Sequence, residues 1–517
     1  MAVAPRTGPL PGRPESYWMD STGPTSYPPP AGDSEVDVVV VGGGIAGLAT
    51  AWEVARDGRT VAVLEADRIA AGVTGYTTAK LTSLHTLVYE ELRRTRGPEA
   101  AHLYARSQQE AVEHVAAVST ELGIDCQLER APAYTYTVRP EETDKLRAEA
   151  EAAREAGLPA EYTEITGLPF DVAGAVRVDD QAQFHPRAYL LALAEDLCAR
   201  GGVIHERTRV TGLREGSPCK VTTESGHTVT AKSVVVATHY PVFDRALLFA
   251  RLSAQRELVV AAPLAPGQDP GGMYITQDEG KRSVRTAPYG DDGGRLLIVT
   301  GEGFTPGTGD AAAGFRALDT WMRERFDVAE TAYRWAAQDN SVTDGVPMVG
   351  PFHPGARNTY VATGFGGWGM SGGIMAGRLL ARLIRGEKSP WADLYDPRRL
   401  LSTLREAPAL LSQQAEVAKH FVGDRLRTSH VDSVDEIPPG SGAVVRVEGR
   451  RCAVHRDESG ALHAVSARCT HLGCLVAFNE AETTWECPCH GSRFGTDGEV
   501  LQGPATRPLE PRELPDS

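Results

Sequence analysis
The amino-acid pattern predicts an α/β nucleotide-binding domain, an antiparallel-sheet domain inserted into it, and a small all-β domain at the C-terminal end. Three observations carry this. A β-branched run, Val36–Val41, leads straight into Gly42-x-Gly44-x-x-Gly47 and a helical pattern. Strand patterns recur at Tyr134–Val138, Leu258–Ala262, Ser283–Thr286 and Leu296–Thr300, away from that motif. Short alternating runs at Ala443–Val447, Arg451–His455 and Leu462–Ser466 turn around Gly449 and Gly460, as hairpins do. At 517 residues the chain exceeds one hydrophobic core, so two or three domains are expected.

Residues 1–34, rich in Pro, Gly and Ser, read as an extended arm. Leu48–Asp57 then reads as a helix ended by Gly58, and Thr60–Leu64 as a second strand closing on Glu65. In this setting Gly42 permits the tight turn, Gly44 lets a pyrophosphate approach the backbone, and Gly47 lets helix and strand pack closely. The helix N-terminus offers free N–H groups and a positive dipole end to phosphates. Glu65, 23 positions after Gly42, is placed to accept hydrogen bonds from a ribose. This is a dinucleotide fingerprint in a Rossmann-like setting, and it does not by itself separate FAD from NAD.

The next segment separates them. Ile69-Ala-Ala-Gly72-Val-Thr74-Gly75-Tyr-Thr77-Thr78-Ala-Lys80 resembles the segment after the second strand in the D-amino-acid-oxidase-like FAD-dependent oxidoreductases, relatives of glycine and sarcosine oxidases. The resemblance implies FAD, with Thr74, Gly75, Thr77 and Thr78 along the extended cofactor. Gln181-Ala-Gln-Phe-His185-Pro186, leading into a helix and the strand Val203–His205, fits the same family, and the resemblance puts the backbone of Val210 against the adenine. Val234–Thr238 resembles the strand that runs beneath the cofactor. Late in the domain, Tyr360–Gly373 reads as strand, glycine loop and helix.

Gly364-x-Gly366-x-x-Gly369 in that last piece matches the dinucleotide pattern again and raises a second site for NAD(P)H. The context argues against it. The helix from about Ser371 to Ile384 stops at Gly386, and Glu387-Lys-Ser-Pro-Trp shows no second apolar strand with a ribose acid. In the family this helix aims its N-terminus at the flavin ring, so the resemblance implies contacts from Gly366, Trp368, Gly369 and Met370. One FAD and no nicotinamide domain is the expectation.

Residues 35–387 are therefore expected to form the FAD-dependent oxidoreductase domain, its substrate subdomain drawn from about 90–180 and 250–335. Helices are expected near Glu99–Leu122 and Glu141–Ala156. His85, Tyr134, Tyr136, Arg256, Tyr289 and Trp368 have side chains suited to substrate contact, but core packing or surface is the first reading of each; His185 and His239 read as structural. Flavin oxidation of a carbon–nitrogen bond can proceed by hydride transfer from a positioned neutral amine, so no conspicuous acid or base is demanded and the catalytic residues stay unassigned. No Cys stands between Cys219 and Cys452, which argues against a cysteinyl flavin.

Residues 388–432, with prolines at 390, 397 and 408 and an amphipathic stretch Ala407–Phe421, read as a connector to a domain over 433–517. There Cys469-x-His471 and Cys487-x-x-His490 write the ligand set of a Rieske-type 2Fe-2S cluster, in which two imidazoles replace two thiolates on one iron. Tetrahedral zinc also takes four such ligands, although zinc motifs tend to pair Cys with Cys and His with His. Cys-Thr-His-Leu-Gly-Cys474 and Cys-Pro-Cys489-His-Gly-Ser492 resemble the Rieske proteins of cytochrome bc complexes, and a subgroup of the oxidoreductase family carries such a domain at its C-terminus. The resemblance implies a Cys474–Cys489 disulfide clasping the ligand loops; taken alone, the two residues could be free thiols. Ser492 is able to donate to a cluster sulfur, but Phe494 stands where the bc-type proteins commonly carry Tyr, which implies a lower potential than theirs.

A formal charge of -15 disfavours a nucleic-acid partner. The N-terminus has no apolar signal-peptide core and no twin arginine, and the apolar stretch Val36–Trp52 is broken by motif glycines, so a cytoplasmic protein without a transmembrane segment is expected. Five of the eight cysteines fall in the C-terminal region, and Cys126, Cys198, Cys219 and Cys452 read as small core or surface residues rather than a disulfide scaffold.

Together these features point to a flavoenzyme that takes two electrons from a small amine or amino acid into FAD and passes them singly to the cluster and on to an unknown acceptor. A second reading is an electron-transfer or redox-sensing protein with no small-molecule substrate of its own; a third is a reductase fed by NAD(P)H. A ring-hydroxylating oxygenase is disfavoured, since the FAD fingerprint occupies the part of the chain where a mononuclear iron domain would lie.

Overall fold
In the computed structural model, residues 8–245, 248–278, 280–399 and 433–514 are described. The amphipathic stretch Ala407–Phe421 and the greater part of the expected connector lie outside them. The strand Ser34–Val41 sits at the centre of the nucleotide sheet, whose order is 348–351, 359–363, 228–236, 34–41, 61–64 and 203–205. The four neighbours Thr359–Thr363, Thr228–Val236, Ser34–Val41 and Val61–Leu64 run parallel in register. Being covered on both faces, the central strand needs a continuous apolar run, which Val38–Val41 supplies at 3% exposure or less.

The helix Ile45–Arg56 leaves the central strand through the glycine turn, and the helix Gly369–Ile384 leaves the strand Thr359–Thr363 through the second glycine loop. They pack against each other at small residues. A Cβ on Gly373 would lie 2.7 Å from Ile45 Cγ2, and one on Gly377 2.7 Å from Ala49 Cβ, so backbone approaches side chain where any larger residue would clash. This close crossing brings both helix N-termini to one edge of the sheet. Because Thr359–Thr363 pairs with Thr228–Val236, the second glycine loop belongs to the same sheet as the first.

The inserted domain is a nine-stranded sheet, larger than the expected bounds. It begins at Lys80–Leu81, continues through Glu129–Thr137 and Gly174–Gln183, and returns from Leu252–Leu264 to Tyr333–Val342. Strand pairing rather than motif position sets those limits. The sheet is also not wholly antiparallel: Met273–Thr276 pairs parallel with Glu129–Thr137, since the chain reaches it from Leu252–Leu264 of the same sheet by a crossover past two strands instead of by a hairpin. Leu258, Val260 and Ala262 face the helix Ala311–Arg325, while Val259 and Ala261 face the opposite side with Trp335 and Tyr333. Period-two alternation thus gives the sheet two apolar faces.

The arm is anchored to the body. Residues Tyr17–Asp20 form a helical turn capped by Ser16, and Trp18 is fully buried against the second face of the nine-stranded sheet. The C-terminal domain consists of a three-stranded sheet, 441–447, 450–456 and 462–466, and a four-stranded one, 477–479, 484–486, 493–494 and 500–502. Its core carries Cys469, Cys474, Cys487, Cys489, Trp485 and Phe494. Among the described residues, no helix is long and apolar enough to cross a membrane.

Candidate cofactor sites and the contact between them
At the first glycine turn, close backbone approach makes glycine a requirement. Gly42 has φ +107, and a Cβ there would lie 2.4 Å from Ala237 O; a Cβ on Gly47 would lie 1.9 Å from Gly42 O. No side chain caps the helix Ile45–Arg56 at Gly44, and Ile45 N donates to Thr74 Oγ1 at 3.2 Å. Its remaining first-turn donors suit an anion. Glu65 accepts from Gly43 N (2.6 Å) and Asp67 N (2.9 Å), and burial raises its pKa in spite of those bonds. A carboxylate has about four acceptor sites, so capacity is left for ribose hydroxyls. Val210 opens the strand Val210–Arg214 nearby, two residues past Thr208, whose N donates to Glu65 O.

The segment after the second strand is held from outside along its whole length. Ser16 Oγ donates to Gly75 O (2.6 Å), Trp335 Nε1 to Tyr76 O (2.8 Å), and Trp18 Nε1 to Thr77 O (2.6 Å). Arg285 Nη1 donates to Ala79 O at 2.6 Å and reaches Thr78 O at 3.3 Å. With these carbonyls satisfied, Thr74, Gly75, Thr77 and Thr78 lie in a fixed strip beside the glycine turn. Lys80 ends the strip; burial and the Arg285 charge lower it to about 7.

The second glycine loop closes on the same place. The helix Gly369–Ile384 has no side-chain cap at Trp368, the Asp339 carboxylate accepts from Gly367 N, and Gly366 N donates to Asn340 O at 3.0 Å. Asn340 is fully buried with neither amide atom partnered among the described residues, a polar vacancy of the kind a flavin edge can fill. Trp368 stacks on His85 at 4.4 Å and 15°, and Met370 is buried behind it.

At the C-terminal end each ligand loop closes on itself: Gly473 N donates to Cys469 O (2.9 Å) and Gly491 N to Cys487 O (3.0 Å). The loops are joined by a Cys474–Cys489 disulfide. Cys474, Cys487 and Cys489 have sulfurs within 4.8 Å of one another, but two of them share the disulfide and offer no thiolate. The thiols left are Cys469 and Cys487, both buried; their mutual hydrogen bond draws Cys469 down and pushes Cys487 up. The His471 and His490 rings stand 4.9 Å apart, and Nδ1 of each is buried without a partner among the described residues. Burial lowers both imidazoles, His490 to about 3, which favours the neutral form that can ligate. Two thiols and two orphaned imidazole nitrogens at one place fit a cluster with mixed ligation.

The two sites meet. Tyr240 lies 5.9 Å from the His490 ring and 6.5 Å from His471, and Phe249 lies 5.9 Å from His490. Gln338 Nε2 donates to Gly491 O at 3.1 Å, and Gly307 N to Glu486 Oε2 at 2.9 Å. Arg256, fully buried on its strand, pairs with Glu486 and with Glu482 at 2.5 Å.

The candidate substrate side chains scatter. Tyr134 stacks on Tyr274 (4.7 Å), Tyr136 is core, Tyr289 edges Tyr17, and His85 is fully bonded to Tyr104, Thr82 and Ser371. His185 caps its helix by accepting from Ala188 N. Arg256 serves the contact between domains instead. Sequence reasoning missed Ser16, Trp18, Arg285, Asp339 and Tyr240. Their partners are backbone groups or rings far away along the chain, and no local pattern marks such pairs.

Comparison with known proteins gives the same division. Residues 37–383 match the family model described as FAD dependent oxidoreductase (DAO), and residues 428–513 match the Rieske [2Fe-2S] domain. The YhfW protein of Bacillus subtilis (strain 168), named for a Rieske 2Fe-2S iron-sulfur protein, is 35% identical over 506 residues, covering 97% of this chain and 98% of its own. The gamma-glutamylputrescine oxidoreductase of Escherichia coli (strain K12) is 25% identical over 371 residues, 68% of this chain and 84% of that protein. Glycine oxidase from Geobacillus kaustophilus has the same fold over 71% of this chain and all of its own, with a TM-score of 0.57 at 22% identity. The first domain binds FAD and the second a 2Fe-2S cluster. By the match of its larger part, and by its likeness to a relative along almost its whole length, this chain belongs to the FAD-dependent oxidoreductase (DAO) family and carries a C-terminal Rieske domain.

Proposed function
We propose that the protein oxidises a small amine or amino acid at FAD and delivers the electrons through its cluster to a separate acceptor. FAD accepts an electron pair from a carbon–nitrogen bond, and the cluster handles electrons singly. On this reading FAD is held by Gly42, Gly44, Gly47, Glu65, Thr74, Gly75, Thr77, Thr78, Val210, Gly366, Trp368, Gly369 and Met370. The cluster is held by Cys469, His471, Cys487 and His490.

The observation that carries the reading is the contact of the His471 and His490 imidazoles with Tyr240 of the FAD domain. A likeness to an oxidoreductase of gamma-glutamylputrescine supports the substrate class. The chain's own residues fix the cofactor strip at 74–79, orient both helix N-termini and bury the His490 imidazole. Anaerobic mixing with a panel of amines and amino acids tests it: one class should bleach the flavin absorbance and then reduce the cluster. Bleaching by NADH or NADPH alone, with no response to the panel, would refute it.

One observation favours the second reading, a redox protein without its own substrate. Tyr17 and Trp18 of the arm fill the sheet face beside the cofactor strip, together with Val259, Ala261, Tyr333 and Trp335. On that reading the whole panel leaves the flavin oxidised.

A further inference from the structure
We propose that the segment Ala237–Tyr240 is the electron bridge between the two cofactors, and that the Rieske domain works from its docked position without leaving the FAD domain. This rests on the electron-transfer half of the function proposed above and not on its substrate.

Four residues connect the sites. Ala237 N donates to Val41 O at 2.8 Å, and Ala237 O presses against Gly42, so the segment starts at the turn that receives the dinucleotide. Thr363 Oγ1 donates to His239 O at 2.5 Å, which ties the segment to the strand leading into the second glycine loop. His239 is half-buried, with its Nε2 buried and unpartnered among the described residues, and it lies near enough to Asp339, the acceptor of Gly367 N, to feel its charge. Tyr240, two per cent exposed, then places its ring against both cluster imidazoles. The segment itself is covalent, and its last step is a packed ring contact of 5.9 Å from Tyr240 to His490.

Docking is fixed by groups that could not be left behind. Undocking would separate Arg256 from Glu482 and Glu486 and strip Gly491 O and Glu486 of the donors Gln338 Nε2 and Gly307 N. Buried charges and buried acceptors that lose their partners are costly, so the docked state dominates. Gly491 shows how close the fit is: a Cβ there would lie 2.3 Å from Gln338 Nε2 and 2.8 Å from Ala254 Cβ.

In the transfer, reduced flavin gives up two electrons and the proton on its N5, which goes to solvent. The electrons cross one at a time, each turning one ferric iron of the cluster ferrous. A one-electron acceptor reoxidises the cluster between the two crossings.

Pulse radiolysis of the holoenzyme tests the proposal without a substrate, by injecting one electron and following its redistribution between flavin and cluster absorbance. The expected rate is independent of protein concentration and unchanged by glycerol. Tyr240→Ala should slow redistribution by about tenfold or more, the scale of a small misplacement between reacting groups, while Tyr240→Phe keeps the wild-type rate, cluster g-values and midpoint potential. A rate that scales with protein concentration, or that falls with viscosity as a swinging domain would, overturns the proposal. So does wild-type redistribution in Tyr240→Ala, and if that variant does not fold, the two wild-type measurements still decide. Redistribution in a protein that no amine reduces would sink the substrate reading and leave the bridge standing; bleaching by an amine with no redistribution would do the reverse.

Discussion

Arg256→Met isolates the contact on which the two-domain arrangement depends. Arg256 is fully buried, the side chain of Glu486 is 1% exposed and that of Glu482 21% exposed, so the substitution leaves one carboxylate stranded and one partly wetted. Removing one partner of a buried pair costs about 3–5 kcal/mol. Glu486 keeps Asn479 Nδ2 at 3.0 Å, Gly307 N at 2.9 Å and Arg493 Nε at 3.4 Å, which places the loss at the low end, about 3 kcal/mol. Urea titration followed by visible circular dichroism of the cluster and by flavin emission reads it out. Wild type should give coincident transitions, whereas in Arg256→Met the cluster signal should move earlier than the flavin signal. Adding Glu486→Gln removes the stranded charge but keeps an oxygen for Gly307 N and should restore most of the loss. A single-variant cost below about 1 kcal/mol, or a double variant no better than the single, would show that the ion pair does not hold the domains together.

Phe494 is fully buried in the core of the Rieske domain, two residues after Ser492. Phe494→Tyr should raise the cluster midpoint potential by adding a hydroxyl donor, and voltammetry that finds it unchanged or lowered refutes this. Gly47→Ala forces a Cβ to 1.9 Å from Gly42 O, so the purified variant should carry little FAD, as read from its flavin-to-protein absorbance ratio. Burial alone would raise the Glu482 carboxyl, but Arg256 and Arg493 outweigh it and hold the pKa below the ordinary value. A depressed carboxylate stabilises the fold above its unfolded pKa of about 4.3, and that stabilisation is lost as the pH falls through the folded value. Protection of the domain contact from limited proteolysis should therefore hold from neutral pH down to about 4.3 and fail below it; in Glu482→Gln the acid step should shrink.

Both cofactors were legible in the sequence because their requirements are local. A strand, a glycine turn, a helix and an acid lie within one stretch from Val36 to Glu65, and the ligand pairs Cys469-x-His471 and Cys487-x-x-His490 each sit in one short loop. Steric necessity at Gly42 and Gly47 and donor chemistry at the four candidate ligands leave few alternatives to those residue types. The bounds of the inserted sheet were less legible, since Lys80–Leu81 and the latter part of Tyr333–Val342 fall outside the expected bounds until strand pairing claims them. The anchoring of the arm was hidden for the same reason. Its Pro- and Gly-rich composition marks irregular backbone, and nothing local states that Trp18 will find Thr77 O across the fold.

Short-range spacing was enough to dictate the chemistry of this protein: one nucleotide turn and one mixed Cys/His ligand set, each written within a few dozen residues or fewer. What brings the two domains together is packing. The pairs that dock them, Arg256 with Glu486 and Gln338 with Gly491, join residues separated by 230 and 153 positions, and Tyr240 reaches His490 across a comparable length of chain. Contacts at that separation depend on how whole sheets pack, and packing leaves its trace in complementary surfaces rather than in any local pattern of residues.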